Sequence, residues 1–262
     1  KIRSYEVETR WYQEHNKQMP GQAPTPRCLE AFSKDGELFL LLEDLRNRGF
    51  EEALYSVSWN EIAVVLQWLA HFHARFLHSE GGGLWSEGTY WHLATRPEEL
   101  ARIEGTELHR FASLLDARLR CGAYPTLVHG DAKLANFLFT ADHERVAAVD
   151  FQYVGRGAAM KDVAYFVGSC MGEEGCERFA SDILNHYFSA LRLGLADSDI
   201  DVEALEVVRE VLTLAAHADR LGEPLGRVGG QGDPALLGQL QDGRQSQRAV
   251  QVHVQVGLRE PV

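Results

Sequence analysis

Short apolar runs separated by turn residues mark the middle of the chain, from Leu127 to Gln152. Phe137 to Phe139 and Val146 to Val149 are too short for helices and flank a polar turn at residues 141–144. They therefore predict two buried strands of one hairpin. The polar stretch from His129 to Asn136, just before the first strand, is predicted to be a loop.

Three polar side chains, Asp131, Asn136 and Asp150, lie at the ends of these predicted strands, where the hairpin is expected to hold them together. Phosphoryl transfer needs a carboxylate beside the attacking hydroxyl and oxygen ligands for Mg²⁺. Asp131 is the candidate acceptor of the substrate proton, and Asn136 and Asp150 are the candidate metal ligands. Lys133 could reach the transferring phosphoryl group. Singly, such residues are more often turn formers or strand caps, so the prediction depends on the order H-x-D-x-K-x-x-N followed by D-F.

Apolar spacing elsewhere in the chain predicts mostly helices. Ser58 to His78 is a long amphipathic helix, with Ser58 as a candidate N-cap and Glu61 as its capping-box partner. Arg27 to Phe32 and Glu37 to Leu42 predict a hairpin around an Asp-Gly turn. Other helices are predicted at 2–17, 97–120, 161–171, 176–193 and 200–216, and a loop at 155–157. This pattern favours an α+β fold.

Composition narrows the class of protein. The 262 residues, 45% hydrophobic and 24% charged, are ordinary for a globular protein of one large domain or two lobes. An excess of 38 acidic over 26 basic residues gives a net charge of −12, which argues against a nucleic-acid surface. No run approaches the roughly 18 apolar residues of a membrane span. The four cysteines lack metal-site spacing and follow no secretory signal, which favours a reducing cytoplasm.

The C-terminal part has a different composition. All 25 aromatic residues (12 Phe, 8 Tyr and 5 Trp) lie in the first 188 positions, and the final 74 have none. From Ala218 onward Gly and Gln dominate. Such a stretch is poorly equipped to bury a core, so residues 218–262 are expected to be a flexible tail or a divergent end.

The motifs of the central hairpin together resemble a known family. His129-Gly130-Asp131 with Asn136, followed by Val149-Asp150-Phe151-Gln152, is similar to the small-molecule kinases related to aminoglycoside phosphotransferases and choline kinases. The Asp-Phe-Gln form and the later Asp162-Val163-Ala164-Tyr165-Phe166 resemble most the ecdysteroid-kinase-like (CHK-like) branch. The resemblance covers about Tyr5 to Phe188, and its motifs specify the kinase fold well and the substrate poorly.

The resemblance implies a protein-kinase-like, two-lobe α+β fold. A partial, β-rich N-lobe would occupy residues 1–45, and a mostly helical C-lobe with the catalytic loop and metal-binding segment would occupy 46–217. ATP and Mg²⁺ are the implied cofactors. A small hydroxylated molecule is the implied phosphate acceptor, with neither nucleic acid nor a membrane as partner. The oligomeric state is not indicated.

The resemblance also assigns nucleotide-binding residues. Glu8 would pair with the nucleotide-binding lysine, with Glu6 as the nearest rival. The hinge, whose backbone binds adenine in the family, would consist of Glu43, Asp44 and Leu45. Asp162 would support the catalytic loop through hydrogen bonds to its backbone.

Two alternatives stay open. No glycine-rich phosphate loop or lysine-bearing strand precedes the first helix, so the chain is expected to begin inside the small lobe. It could then be a degenerate or truncated kinase-like protein without catalysis. The second alternative is a cysteine hydrolase, because Gly168-Ser169-Cys170-Met171-Gly172 matches a variant nucleophile elbow. That motif needs a strand before it, at Val163 to Val167, and a helix after it.

Overall fold

The computed structural model describes residues 2–34, 37–90, 92–120, 124–196 and 252–255, which contain six α-helices and eight strands. The helices are α1 (Ile2–Arg10), α2 (Trp59–Arg75), α3 (Pro97–Arg102), α4 (Glu107–Arg120), α5 (Met160–Cys170) and α6 (Glu173–Gly194). The strands are β1 (Cys28–Lys34), β2 (Glu37–Leu42), β3 (Phe50–Ala53), β4 (Thr126–Val128), β5 (Phe137–Thr140), β6 (Val146–Ala148), β7 (Gly155–Gly157) and β8 (Val252–Gln255). They form three antiparallel sheets, in the orders β1-β2-β8, β3-β5-β6 and β4-β7.

The predicted capping box starts α2. The Ser58 hydroxyl accepts a hydrogen bond from Asn60 N at 3.3 Å, and the Glu61 carboxylate accepts one from Ser58 N at 2.7 Å. These bonds satisfy backbone donors that the first turn of a helix leaves open. The apolar stripe of α2 is buried and packs along α6, so α2 serves as the central helix of the fold.

The central hairpin forms as predicted. Strands β5 and β6 pair with Phe137 opposite Ala148 and Phe139 opposite Val146. Strand β3, which the sequence did not predict, adds to the outer side of β5. Its sequence, Phe-Glu-Glu-Ala, has two consecutive charges in place of an alternating pattern, so no strand signal was present.

Two expectations of local structure were wrong. The helix predicted at 97–120 is divided into α3 and α4, with Gly105 at a left-handed φ of +87° between them. The loop predicted at Gly155–Gly157 is strand β7, which pairs with β4. A Cβ on Gly155 would lie 2.3 Å from the Trp85 carbonyl oxygen. Glycine is therefore needed at this position because another backbone segment approaches the strand closely, and not because the chain forms a loop.

One aromatic residue ties the N-terminal helix to the central hairpin. Trp11, fully buried in the turn after α1, stacks on Phe151 with ring centroids 4.5 Å apart and an interplanar angle of 11°. It meets Phe72 and Phe76 of the α2 region edge-on. Packing of this kind fixes where α1 lies, and therefore where Glu8 lies, relative to the segment after β6.

Most of the predicted tail lies outside the described residues. This holds for the helix predicted at 200–216 and for 218–262, except that Val252–Gln255 form β8 against β2. Within the described residues, no helix has the length and apolar character needed to cross a membrane.

Candidate active site

A tight turn places Asp131 between β4 and β5. Gly130 has a φ of +83°, and a Cβ there would lie 2.2 Å from the Tyr153 carbonyl oxygen, so the turn requires glycine. Next to it, His129 Nδ1 accepts a hydrogen bond from Asp131 N at 3.3 Å, and His129 Nε2 lies 3.0 Å from the Val149 carbonyl oxygen. A backbone amide only donates and a carbonyl only accepts, so these bonds assign His129 the neutral form protonated on Nε2. His129 thereby connects the loop to the segment that carries Asp150.

Asp162, the second residue after the start of α5, braces the same loop. Its carboxylate accepts hydrogen bonds from His129 N at 2.5 Å and from Gly130 N at 2.9 Å. His73 of α2 adds a third contact, with Nε2 at 3.1 Å from Oδ2. The expected hydrogen bonds between Asp162 and the backbone of this loop are confirmed.

Asp131, Lys133 and Asn136 converge within this loop. Lys133 Nζ lies 2.7 Å from Asp131 Oδ2. Asn136 Nδ2 donates to the Asp131 carbonyl oxygen at 2.8 Å and to Oδ2 at 3.1 Å. Asp131 is 4% exposed, so its carboxylate interacts with neighbouring side chains and not with bulk water. The three side chains form one connected group.

Asp150 joins this group from the end of β6. Val149 N donates to the Asn136 carbonyl oxygen at 3.0 Å, which brings the two predicted metal ligands together just before β5 and just after β6. Asp150 has a φ of +68°, a left-handed conformation that costs a non-glycine residue about 1–3 kcal/mol. Burial, and then the charge of Asp131, raise the pKa of Asp150. A strained carboxylate beside another negative charge is a site that a bound cation would stabilise.

Lys133 provides part of the compensating charge. Burial lowers its pKa, but the carboxylate of Asp131, through its charge and its hydrogen bond, and the charge of Asp150 outweigh that effect. The net pKa of Lys133 is raised, so it stays an ammonium group beside the two aspartates.

Glu8 approaches the group from α1. It is 8% exposed, and its Oε1 accepts a hydrogen bond from Phe151 N at 3.3 Å. Burial and then the charge of Asp150 raise the pKa of Glu8 to about 8, against a smaller lowering by the Phe151 N–H. Glu6 is exposed and pairs with Arg3 at 3.5 Å. Of the two glutamates, Glu8 is therefore the one at the site.

The donor set fits Mg²⁺. Carboxylates and amide oxygens are its preferred protein ligands. Because Asn136 Nδ2 faces Asp131, its Oδ1 is the atom available to a metal. In the part of the chain that the structure describes, no group of three or more His, Cys, Asp or Glu side chains could hold a metal ion. The candidate metal site thus relies on one amide, that of Asn136, and one carboxylate, that of Asp150, and leaves room for other oxygen ligands.

The side chains of the expected hinge residues have structural partners of their own. The Glu43 carboxylate pairs with Arg27 at 2.7 Å and Arg48 at 3.4 Å. Asp44 caps the short helix Leu45–Arg48 and pairs with Arg46 at 2.7 Å. Leu45 is buried beside Phe50 and Ala147. Any contact of Glu43, Asp44 and Leu45 with a nucleotide therefore falls to their backbone.

The segment Leu84–Tyr90 contacts the loop, a role that sequence reasoning did not assign. Tyr90 N donates to the Gly130 carbonyl oxygen at 2.7 Å, and Trp85 Nε1 donates to the Gln152 carbonyl oxygen at 2.8 Å. Tyr90 and Tyr153 lie with ring centroids 4.8 Å apart. The only signal in the sequence was the density of aromatic residues in this segment.

The nucleophile elbow is not formed. Residues 163–167, which would have to be a strand, lie inside α5, and Cys170 ends that helix. Burial raises the pKa of Cys170 to about 11, against a lowering by its contact with Ser169. The Ser169 hydroxyl accepts a hydrogen bond from Leu134 N at 3.0 Å and so supports the loop from His129 to Asn136. The cysteine-hydrolase interpretation is therefore wrong.

Comparison with known proteins places the chain in a family. The sequence profile described as APH, "Phosphotransferase enzyme family", matches residues 3–199. The chain belongs to this phosphotransferase family. No curated protein matches it significantly.

Solved structures of the same general kind are similar at low sequence identity. Aminoglycoside phosphotransferase APH(3'')-Id from Streptomyces rimosus is 17% identical, with a TM-score of 0.45 over 84% of this chain and 82% of that one. An aminoglycoside-3'-phosphotransferase of type VIII is 20% identical, with a TM-score of 0.43 over 76% and 74%. A choline/ethanolamine kinase family protein from Mesorhizobium loti is 14% identical, with a TM-score of 0.42 over 84% of each chain. At TM-scores below 0.5, these likenesses carry no argument about function.

The expected fold is confirmed. The described residues form an α+β, kinase-like structure in which small sheets accompany mostly helical content, and the hairpin β5–β6 carries the candidate site.

Proposed function

We propose that this chain transfers the γ-phosphoryl group of ATP to a hydroxyl group of a small molecule. The observation that carries the proposal is the convergence of Asp131, Lys133 and Asn136, with Asp150 in the segment just after β6. Membership of a phosphotransferase family supports the reaction type. Catalysis of this kind consists mostly of positioning and charge stabilisation, so a few held side chains suffice.

Asp131 is proposed to receive the proton of the acceptor hydroxyl. Its Oδ2 already accepts hydrogen bonds from Lys133 and Asn136. Oδ1 accepts none from the described residues, which leaves it for the acceptor hydroxyl. Lys133, kept charged by the aspartates, is proposed to stabilise negative charge on the transferring group.

Asn136 and Asp150 are proposed to hold Mg²⁺. The ion, when bound, neutralises charge on the nucleotide phosphates. Glu8 is proposed to pair with the nucleotide-binding lysine, because it is a buried carboxyl beside Asp150. Since Glu43 N already donates to the Arg27 carbonyl oxygen at 2.9 Å, we assign adenine binding to the Glu43 carbonyl and the Leu45 N–H.

The acceptor is proposed to resemble those of the ecdysteroid-kinase-like branch. The Asp-Phe-Gln sequence at Asp150–Gln152 and the Asp162–Phe166 segment support this assignment. Tyr90 and Tyr153, which lie beside the loop, would give a ring-bearing alcohol an aromatic surface. A cytoplasmic location belongs to the same proposal, and the free thiols of Cys28, Cys170 and Cys176 fit it.

The test separates transfer from binding. ADP release would be measured with a panel of hydroxylated acceptors, and Mg·ATP binding by calorimetry. Asp131→Asn should abolish transfer and spare binding, whereas Asp150→Ala should weaken Mg·ATP binding as well. Asp182→Asn removes an exposed carboxylate on α6 and is the matched control. Turnover by Asp131→Asn at the wild-type rate would refute the assignment.

A kinase-like protein without catalysis is the second candidate. One observation favours it: among the described residues, Glu8 forms no ion pair with a basic side chain. The same calorimetry discriminates between the two. Absence of heat at millimolar Mg·ATP would support this candidate and contradict the first.

A further inference from the structure

A buried chain of hydrogen bonds runs from α6 to the catalytic loop. The Tyr187 hydroxyl lies 2.8 Å from His73 Nδ1, and His73 Nε2 lies 3.1 Å from Asp162 Oδ2. The side chains are 0%, 1% and 1% exposed, respectively. Asp162 in turn accepts from the backbone of His129 and Gly130. A tyrosine 56 positions beyond Asp131 in the sequence thus reaches the loop through two intermediates.

The partners define the direction of these bonds. A carboxylate only accepts, so the 3.1 Å contact with Asp162 is a hydrogen bond only when His73 carries its proton on Nε2. Burial, followed by the charge of Asp162, raises the pKa of Tyr187, which keeps its hydroxyl protonated. The hydroxyl can then donate to Nδ1 of a neutral His73. Without that donor, a neutral imidazole could move its proton to Nδ1 and present an acceptor to Asp162.

We propose that Tyr187 is a positioning residue of the catalytic loop, whose hydroxyl holds His73 in the tautomer that donates to Asp162. Asp162 then has three N–H donors, two of which belong to the loop backbone next to Asp131. The consequence for phosphoryl transfer rests on the proposed function, but the hydrogen-bond relay does not.

The surroundings make the hydroxyl hard to replace. A cavity of about 30 Å³ adjoins His73 and Tyr187, and most of its lining is apolar, as shown by Leu77, Phe188 and Leu191. A cavity of this size holds about one water, which needs two or more polar partners to be stable there. In a variant without the Tyr187 hydroxyl, a water molecule that takes its place would keep the His73 tautomer unchanged, and this is the outcome that competes with the proposal.

The experiment is nitrogen NMR of the histidines in the full chain without nucleotide. Wild type should show His73 protonated on Nε2, and Tyr187→Phe should show a mixture of tautomers. Hydrogen exchange of the His129 and Gly130 amides should become roughly tenfold faster in that variant, because they lose part of their brace. Tyr12→Phe is the matched control. That hydroxyl is also buried, and within the described residues it has no hydrogen-bond partner.

A double variant distinguishes positioning from simple packing. Gln at position 73 carries a donor near the place of Nε2 and has no tautomers. In the His73→Gln background, Tyr187→Phe should therefore change exchange at His129 and Gly130 by less than about twofold. An unchanged His73 tautomer in Tyr187→Phe, or equal effects in both backgrounds, would overturn the proposal. Neither the His73 tautomer nor amide exchange involves ATP, so these measurements can contradict the role of Tyr187 without bearing on the proposed reaction.

Discussion

Two buried carboxylates contact the backbone around the candidate site, and they differ in the number of N–H groups that donate hydrogen bonds to them. Asp162 of α5 is 1% exposed and receives three N–H groups, from His129, Gly130 and His73. Glu8 of α1 is 8% exposed and receives one N–H, from Phe151 at 3.3 Å. Hydrogen bonds can replace water around a buried charge only when they are numerous enough.

The difference separates a carboxylate that holds the fold from one that we propose to take part in nucleotide binding. Asp162 has what it needs within the fold, so its role is to hold the loop. Glu8 prefers its protonated form, with a pKa of about 8, because burial and Asp150 oppose its charge. A basic group arriving at Glu8 would reverse that preference. This is the behaviour expected of a residue that takes part in binding.

The largest effect is expected from Asp162→Ala. It leaves three buried donors without an acceptor, so the free energy of unfolding should fall by about 3–5 kcal/mol. Urea denaturation measures this. Asp182→Ala, on the exposed face of α6, removes the same charge and should be nearly neutral. If the two variants were equally stable, Asp162 would not have the structural role that its three N–H donors indicate.

Glu8→Gln should produce the next largest effect, and only at high pH. The pKa of Glu8 rises on folding from 4.5 to about 8, so the folded state binds the extra proton. Its contribution to stability is present below the unfolded pKa and is lost as pH rises through about 8. Relative to Glu8→Gln, wild type should therefore lose about 2–4 kcal/mol between pH 5 and pH 9.

Thermal or urea unfolding at several pH values provides the measurement. The control is Glu6→Gln, two positions earlier, which removes an exposed carboxylate paired with Arg3. Its pH profile should run parallel to that of wild type. If Glu8→Gln also ran parallel, burial would not be what sets the Glu8 pKa, and the comparison with Asp162 would lose its basis.

Local signals explain what the sequence predicted. The loop from His129 to Asn136, the hairpin strands and the capping box at Ser58 all depend on neighbours within a few positions. The contacts that complete the site join distant parts of the chain: Glu8 to Phe151 spans 143 positions, and Tyr187 to His73 spans 114. No periodicity carries such information. Resemblance pointed to Glu8 and Asp162, whereas only packing identified Tyr187, Trp11 and the Leu84–Tyr90 segment.

Glu61 is a third carboxylate, which has several hydrogen-bond donors and is more exposed to solvent than Asp162 or Glu8. Hydrogen bonds from Ser58, and then from His143, lower its pKa to about 2. Ser58→Ala removes the cap, so the free energy of unfolding should fall by about 1 kcal/mol in denaturant titrations. Ser58→Thr keeps the hydroxyl and should recover most of the loss. A neutral Ser58→Ala would mean that the hydrogen bonds at Glu61 add nothing to the start of α2.

The smallest effect is expected at His143, which donates hydrogen bonds to two carboxylates at a partly exposed position. Its ring nitrogens lie 3.0 Å from Glu61 Oε1 and 3.0 Å from Glu52 Oε2, so both must be protonated. Glu61, and then Glu52, raise the pKa of His143, which means that its contribution is lost as pH rises through that raised value. His143→Asn suits the left-handed φ of 57° and should flatten this part of the profile. Salt should weaken the His143 slope more than the Glu8 slope, because His143 and its partners are partly exposed and Glu8 is buried. Equal salt sensitivity of the two slopes would show that burial does not separate these carboxylate sites.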